Sequence, residues 1–247
     1  MSAAAKQQAW GHHMSATLRI IAAAAAAAVF AGCAAVPSKV DPLEPMNRAL
    51  YHVHDVLDTN IVKPVAEGYV AVIPQFVRTG FANVFNNIDD LFSAVNGLLQ
   101  GKPEKAGNDL GRVLTNTMLG LGGLIDVATD LGIERGNEDF GQTFAVWGFP
   151  QGPYLFIPLF GPTTVRDGTG VLVRIALGPV SYISNVPVRN SIYGVGYVDL
   201  RSQALESGSL LDTAALDRYI FIRNAYLQRR RYLIYDGKPP PESEDEQ

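Results

Sequence analysis

The chain has 247 residues, 47% of them hydrophobic and 18% charged, and a formal charge of −4. That length supports one sizeable domain with its own core, and the negative balance excludes a generic nucleic-acid binder. An aromatic share of 9% and a mean hydropathy just above zero leave apolar surface to be explained.

The first segment is a targeting signal. Arg19 precedes an unbroken apolar run, Ile20 to Ala31, which ends at Gly32-Cys33. A basic residue, a short apolar run and a small-residue end make a signal peptide, too short to span a bilayer. Residues 1–32 are read as that signal, beginning at Met1 or at Met14. Cys33 is the single cysteine. Val29-Phe30-Ala31-Gly32-Cys33 resembles the lipobox of bacterial lipoproteins, in which the cysteine is acylated and becomes the new N-terminus. The plainer alternative, cleavage after Ala31, leaves an orphan thiol in an oxidising compartment. Several acyl chains at about 0.8 kcal/mol per buried methylene hold a protein permanently. Ala34 stands where inner-membrane retention would need Asp, which directs the expectation to the outer membrane, and residues 33–40 form the lipidated linker. Lys6 and Arg19 leave with the signal, taking the charge from −4 to −6.

From Asp41 the pattern is helical. Met46, Leu50, Val53 and Leu57 recur at helical spacing after Pro45, and Pro64 starts a short helix through Val72. Pro74 starts another that carries Val77, Phe81, Val84 and Ile88 on one face, and Leu91 to Leu99 reads as a further apolar helix. Pro103 restarts a helix carrying Leu110, Val113, Leu114 and Met118, which runs into Gly120-Leu121-Gly122-Gly123. Those glycines read equally as helix termination or as a close approach, to a second helix or to a lipid chain, that would put Gly120, Gly122, Gly123 and Leu124 on a lipid path. Phe140–Trp147 is a short helix, and Gly148–Gly161, with Pro150, Pro153 and Pro158, an extended apolar hairpin or loop. Two longer helices, about Val188–Leu205 and Thr213–Tyr235, close the domain, and the Pro-rich acidic tail 236–247 is read as disordered. No stretch after the signal reaches about 18 consecutive apolar residues. The class is all-α, a single domain at 41–235 of short amphipathic helices with Gly- and Pro-rich connections.

Catalysis finds no footing. After Cys33 the histidines are His52 and His54, two positions apart on a helix and so on different faces; they read as solvated. They lack acidic or cysteine partners at metal spacing, and no nucleophile elbow, dinucleotide fingerprint or phosphate loop is present, so no catalytic residue, metal or cofactor is expected. In the last helix Tyr226 and Tyr232 interleave with Arg229, Arg230 and Arg231. Tyrosine with arginine suits a membrane–water boundary, the ring at headgroup level and the guanidinium toward phosphate; the alternative is a core helix with a solvated basic end.

A resemblance extends this reading. Asp41-Pro42-Leu43-Glu44-Pro45-Met46-Asn47-Arg48, Lys63-Pro64-Val65-Ala66, Leu119 to Ala128, Asp139-Phe140-Gly141-Gln142-Thr143, Gly152-Pro153-Tyr154, Gly161 to Asp167 and Arg223-Asn224-Ala225-Tyr226 occur in that order. Together they resemble the VacJ/MlaA family of outer-membrane lipoproteins over about Asp41 to Tyr235. Val53-His54 and Val84-Phe85 depart from the family's usual Phe-Asn and double-Phe pairs but keep the amphipathic pattern. The resemblance implies a membrane-embedded ring of helices around an amphipathic channel. Through it, phospholipid misplaced in the outer leaflet passes to a soluble periplasmic carrier, which maintains lipid asymmetry; it also implies association with a trimeric porin. A non-transporting adaptor that binds a porin or another membrane protein is the competing expectation.

Overall fold

The computed structural model describes residues 40–205 and 216–241, so the signal, Cys33 and the last residues of the tail lie outside the described residues. Helix α1 spans Glu44–Leu57 and passes through a π-helical turn, Asp58–Val62, into α2, Lys63–Val72. Pro45 sits in the first turn of α1, where no backbone donor is lost, and Pro64 follows the π-helical turn directly. Helix α3 is Gln75–Leu99, α4 is Pro103–Met118, α5 is Val127–Asp130 and α6 is Phe140–Val146. The hairpin β1 (Tyr154–Ile157) and β2 (Gly161–Thr164) is antiparallel, with Tyr154 opposite Thr164. Then come α7, Val165–Leu177, a 3-10 turn at Pro179–Tyr182, α8, Val186–Gln203, and α9, Arg218–Ile234.

Side-chain caps fix where several helices begin. Asp126, Asp139, Thr164, Asn185 and Asp217 each accept a hydrogen bond from the backbone N–H three residues on, so α5 to α9 all start on an Asp, Asn or Thr. The packing then closes on itself. The elements α1 and β1 touch, β2 touches α7, α7 lies on α6, α6 on α3, α3 on α8, and α8 on α2, which returns through the π-turn to α1. This circuit is a ring of elements; α4 runs along α3, and α9 packs on α6 and β2. No helix among the described residues is long and apolar enough to cross a membrane.

Asn47 welds α1 to the hairpin like an extra strand: its Nδ2 donates to the Tyr154 carbonyl at 3.0 Å and its Oδ1 accepts from the Phe156 N–H at 3.0 Å. At the α6–α7 crossing Gly141 and Gly170 meet backbone to backbone; a Cβ on Gly170 would lie 2.5 Å from the Gly141 nitrogen. Only glycine permits that approach.

Four expectations are corrected. The two helices read across Pro74 to Leu99 are one, because Asp89 and Asp90, which break the apolar run, are neutralised by Arg174 and by Arg112 with Arg135. Helix α7 lies where no helix was expected. His54 is not solvated: its Nδ1 accepts from the Leu159 N–H at 3.1 Å, and its ring packs edge-on to Phe156. Burial lowers the His54 pKa against the pull of Asp58 and Asp55, which keeps that nitrogen an acceptor. Asp236, placed in the disordered tail, bonds Lys102 at 2.7 Å and Lys105 at 2.6 Å, so the folded part reaches past Tyr235.

The turn after α4 allows a stability test. A Cβ on Gly120 would stand 2.1 Å from the Ile125 carbonyl oxygen, whereas Gly107, on the exposed side of α4, has nothing within 4 Å. Gly120→Ala should cost about 1–3 kcal/mol through overpacking. Gly107→Ala should gain up to about 1 kcal/mol of helix propensity. Thermal melts of the two variants should move in opposite directions.

Candidate functional site

The interior of this protein is polar. Arg112 is 2% exposed and holds a hub between α4 and its neighbours. Its Nε donates to Asp90 of α3 at 2.9 Å, and its Nη2 to both oxygens of Asp126 at 2.9 and 3.0 Å. Its Nη1 reaches Thr129 at 3.1 Å and the Ile133 carbonyl at 2.7 Å. Arg135 closes on the other oxygen of Asp90 at 2.6 Å. Asn116 donates to Asp126 at 3.0 Å and accepts from the Ala128 N–H at 2.8 Å. Partial burial would raise the Asp126 carboxyl, but the Thr129 and Asn116 hydrogen bonds and the Arg112 charge outweigh it and hold it at about 2.

A second cluster lies under α9. Arg230 bridges Asp139, at 2.5 and 3.0 Å, and Asp167, at 3.1 Å, while the Tyr226 hydroxyl donates to Asp167 at 2.9 Å. Burial opposes the charge on Asp139, yet Arg230 keeps its carboxyl below the usual carboxylate range. A third cluster joins Asp41 and Glu44 to Asn47, Tyr219 and Arg223 at the foot of α1. Buried charges persist only when paired and hydrogen-bonded, and these are.

The exterior is the complement of that interior. Phe76 is 78% exposed, Met118 79%, Leu121 71%, Phe160 72% and Leu172 68%, and these side chains belong to different elements. Among the described residues the buried hydrophobic side chains are alanines such as Ala66 and Ala128 and the aromatics Phe140, Tyr154, Phe156 and Tyr219. A protein solvated by water places its residues the other way round. A cleft of about 420 Å³ opens between α3, the segment 135–139, α7 and α9. Its walls carry Asp89 and Ser93 of α3, Arg135, Arg174 of α7, and Tyr226, Arg229 and Leu233 of α9.

The residues singled out from sequence separate on this frame. Gly122 (φ +73°) and Gly123 (φ +92°) are left-handed, and Gly120 abuts carbonyls, so the glycines make a tight turn that L side chains resist. That turn displays Leu121 and a half-exposed Leu124, whose carbonyl accepts from Asn83. Arg230 and Tyr226 do not form an outward boundary: both are committed to Asp167, with Arg230 also on Asp139. Arg231 donates to the Pro240 carbonyl at 2.7 Å, Tyr232 is 57% exposed, and Arg229 is exposed on the cleft wall. The hub of Arg112, Asp90 and Asp126 was not read from sequence; a basic residue on the apolar-striped helix α4, followed at residue 126 by a carboxylate capping the next turn, was the available signal.

With paired charges inside, large apolar side chains outside and a closed circuit of contacts, the molecule is a mostly helical single-domain protein of inverted polarity. The MlaA lipoprotein family model matches residues 39–233, and the chain belongs to that family. It is 34% identical over 233 residues to the intermembrane phospholipid transport system lipoprotein MlaA of Haemophilus influenzae, covering 90% of this chain and 92% of that protein. The protein of the same description from Escherichia coli is 33% identical over 91% of this chain and 92% of its own length. A solved structure described as the structural basis for maintenance of bacterial outer membrane lipid asymmetry superposes with a TM-score of 0.69 at 33% identity, covering 78% of this chain and 98% of that one.

The carboxylates give a pH dependence. Asp126 titrates at about 2 in the folded chain against an ordinary 3.8, and Asp139 is also lowered. A depressed folded pKa contributes stability above the unfolded value that is lost as pH falls through the folded one. Stability should therefore hold at neutral pH and decline from about pH 4 to about pH 2. Asp126→Asn should be weaker at pH 7 and flatter across that window, as read by denaturant midpoints; parallel curves for the two proteins would reject this role for Asp126.

Proposed function

We propose that this chain is an outer-membrane lipoprotein, held by acyl chains on Cys33, that removes phospholipid from the outer leaflet and passes it to a soluble periplasmic carrier, so maintaining lipid asymmetry. The observation that carries the proposal is the inverted polarity of the ring. Exposed apolar side chains on α3, α4, α7, α8 and both turns suit contact with acyl chains, while paired charges inside keep the ring closed. The names of the relatives and of the superposed structure agree with it.

Lipid need not be chemically altered for this task, so the role is transport and not catalysis. The turn from Leu119 to Ile125 offers exposed apolar side chains with Gly122 in open space, and the proposed lipid path runs along Gly122 and Leu124, with Gly120, buried against carbonyls, and Gly123, buried against Asn87, shaping the turn behind them. Tyr232 and Arg229 are the members of the former boundary set still free to meet headgroups. A trimeric porin is the proposed neighbour in the membrane.

The test uses the protein purified from membranes in mild detergent. It should carry phospholipid, yield it to a periplasmic extract, and take up palmitate label that Cys33→Ser abolishes. A chain that carries no phospholipid yet co-purifies with a porin would be an adaptor, and the transport reading would fall.

A further inference from the structure

The three consecutive arginines near the end of α9 have different surroundings. Arg230 is locked between Asp139 and Asp167, and Arg231 is turned toward the Pro240 carbonyl. Arg229 lines the cleft, is exposed, and has no hydrogen bond or ion pair to any described residue. The carboxylates of the same cleft are each paired with another cation. Asp89 has Arg174, Asp90 has Arg112 and Arg135, Glu138 has Lys102 and Lys105, and Asp139 has Arg230. Arg229 is thus left as the guanidinium of the cleft that has no carboxylate partner among the described residues.

We propose that this cleft binds the headgroup of a zwitterionic phospholipid, with the phosphodiester on Arg229. A guanidinium offers paired N–H donors in the plane that a phosphate's oxygens match, and such charge-assisted bonds are about twice as strong as neutral ones. Asp89 and Arg174 stand across the cleft as a half-exposed ion pair, 47% and 42% exposed. A pair so solvated opens at little cost, so Arg174 can add a second contact to phosphate while Asp89 takes an ammonium. The volume of about 420 Å³ falls within the roughly 300–1,000 Å³ of clefts that hold small ligands. Leu233 gives the wall an apolar edge, and exposed Leu172 of α7 offers apolar surface on an element that also lines the cleft. The proposal rests on the lipid-carrying function and adds to it the headgroup class and the residue that holds the phosphate.

Arg229 makes no internal bond, so Arg229→Gln should fold and melt like the wild type. The full lipidated chain, in detergent, is titrated with glycerophosphoethanolamine and, separately, with inorganic phosphate, each followed by phosphorus NMR. Retained phospholipid per protein is measured by mass spectrometry. Arg229→Gln should weaken glycerophosphoethanolamine binding about tenfold or more, the loss of one charge-assisted contact, and Arg229→Lys should recover part of it. Equal affinity in wild type and Gln variant would overturn the site. Inorganic phosphate binding as tightly as the headgroup probe, and equally sensitive to the variant, would make it a free-anion site and overturn the lipid assignment. If the wild type carries phospholipid and the Gln variant carries as much with no loss of probe affinity, the headgroup site alone fails. A wild type that carries none defeats the transport reading along with it.

Discussion

Arg112 offers five N–H donors on one rigid plane, and all of them must be satisfied once the side chain is buried. The chain meets that demand with Asp90 from α3, Asp126 and Thr129 around α5, and the Ile133 carbonyl beyond it. One side chain therefore fixes how α3, α4 and the segment after the glycine turn sit together. Its removal would leave Asp126 without a counter-charge and the buried Asp90 with Arg135 alone, and breaking a buried pair generally costs about 3–5 kcal/mol. The Arg230 cluster does the same for α6, α7 and α9, and the Asp41–Asn47–Tyr219–Arg223 cluster for α1, the hairpin and α9. Three polar knots thus hold these elements together, beside one small aromatic cluster.

That choice frees the exterior. With cohesion supplied by directed bonds inside, the large apolar side chains need not converge, and helices α3, α4, α7 and α8 can turn them outward. An apolar medium then solvates those faces at no hydrophobic cost, and it strengthens the internal hydrogen bonds by keeping water away. In water the same exterior would be a liability. Ring closure depends on the same economy, since α8 reaches back to the π-turn through the Arg201–Asp58 pair, at 2.7 Å, and to α2 through the Tyr69 hydroxyl on Asp199, at 3.0 Å.

Helix ends and types were legible wherever a local signal existed. Pro64 and Pro103 start α2 and α4 within a residue of expectation, and the proline-rich stretch after Gly148 is a hairpin. Helix α7 carries Gly168 and Gly170, which lower its helix propensity, and the reason for one lies in another helix: Gly170 must accept the backbone of Gly141. The boundary helix misled for a related cause. Periodicity shows that Tyr226 and Arg230 share a face, but not that Asp167 and Asp139, 63 and 91 residues away, are waiting there. Charge pairs between distant elements leave no trace in spacing. The family motifs carried what physics could not, and several of their members, Asp41, Asn47, Asp126, Asp139, Asp167 and Arg223, prove to be the polar knots themselves.

The central claim is that this polar-centred ring lies with its apolar exterior in lipid, beyond what an anchor at Cys33 would achieve. Trp147 reports on it directly. The sequence holds two tryptophans, Trp10 and Trp147, and a chain beginning at Cys33 keeps the second alone. Trp147 is 53% exposed beside exposed Phe149, with its indole N–H held by the Leu99 carbonyl at 3.0 Å. Fluorescence of the mature protein in vesicles whose acyl chains carry bromine should be strongly quenched, and aqueous iodide should have little effect. Unquenched emission in brominated lipid together with free access to iodide would contradict the account.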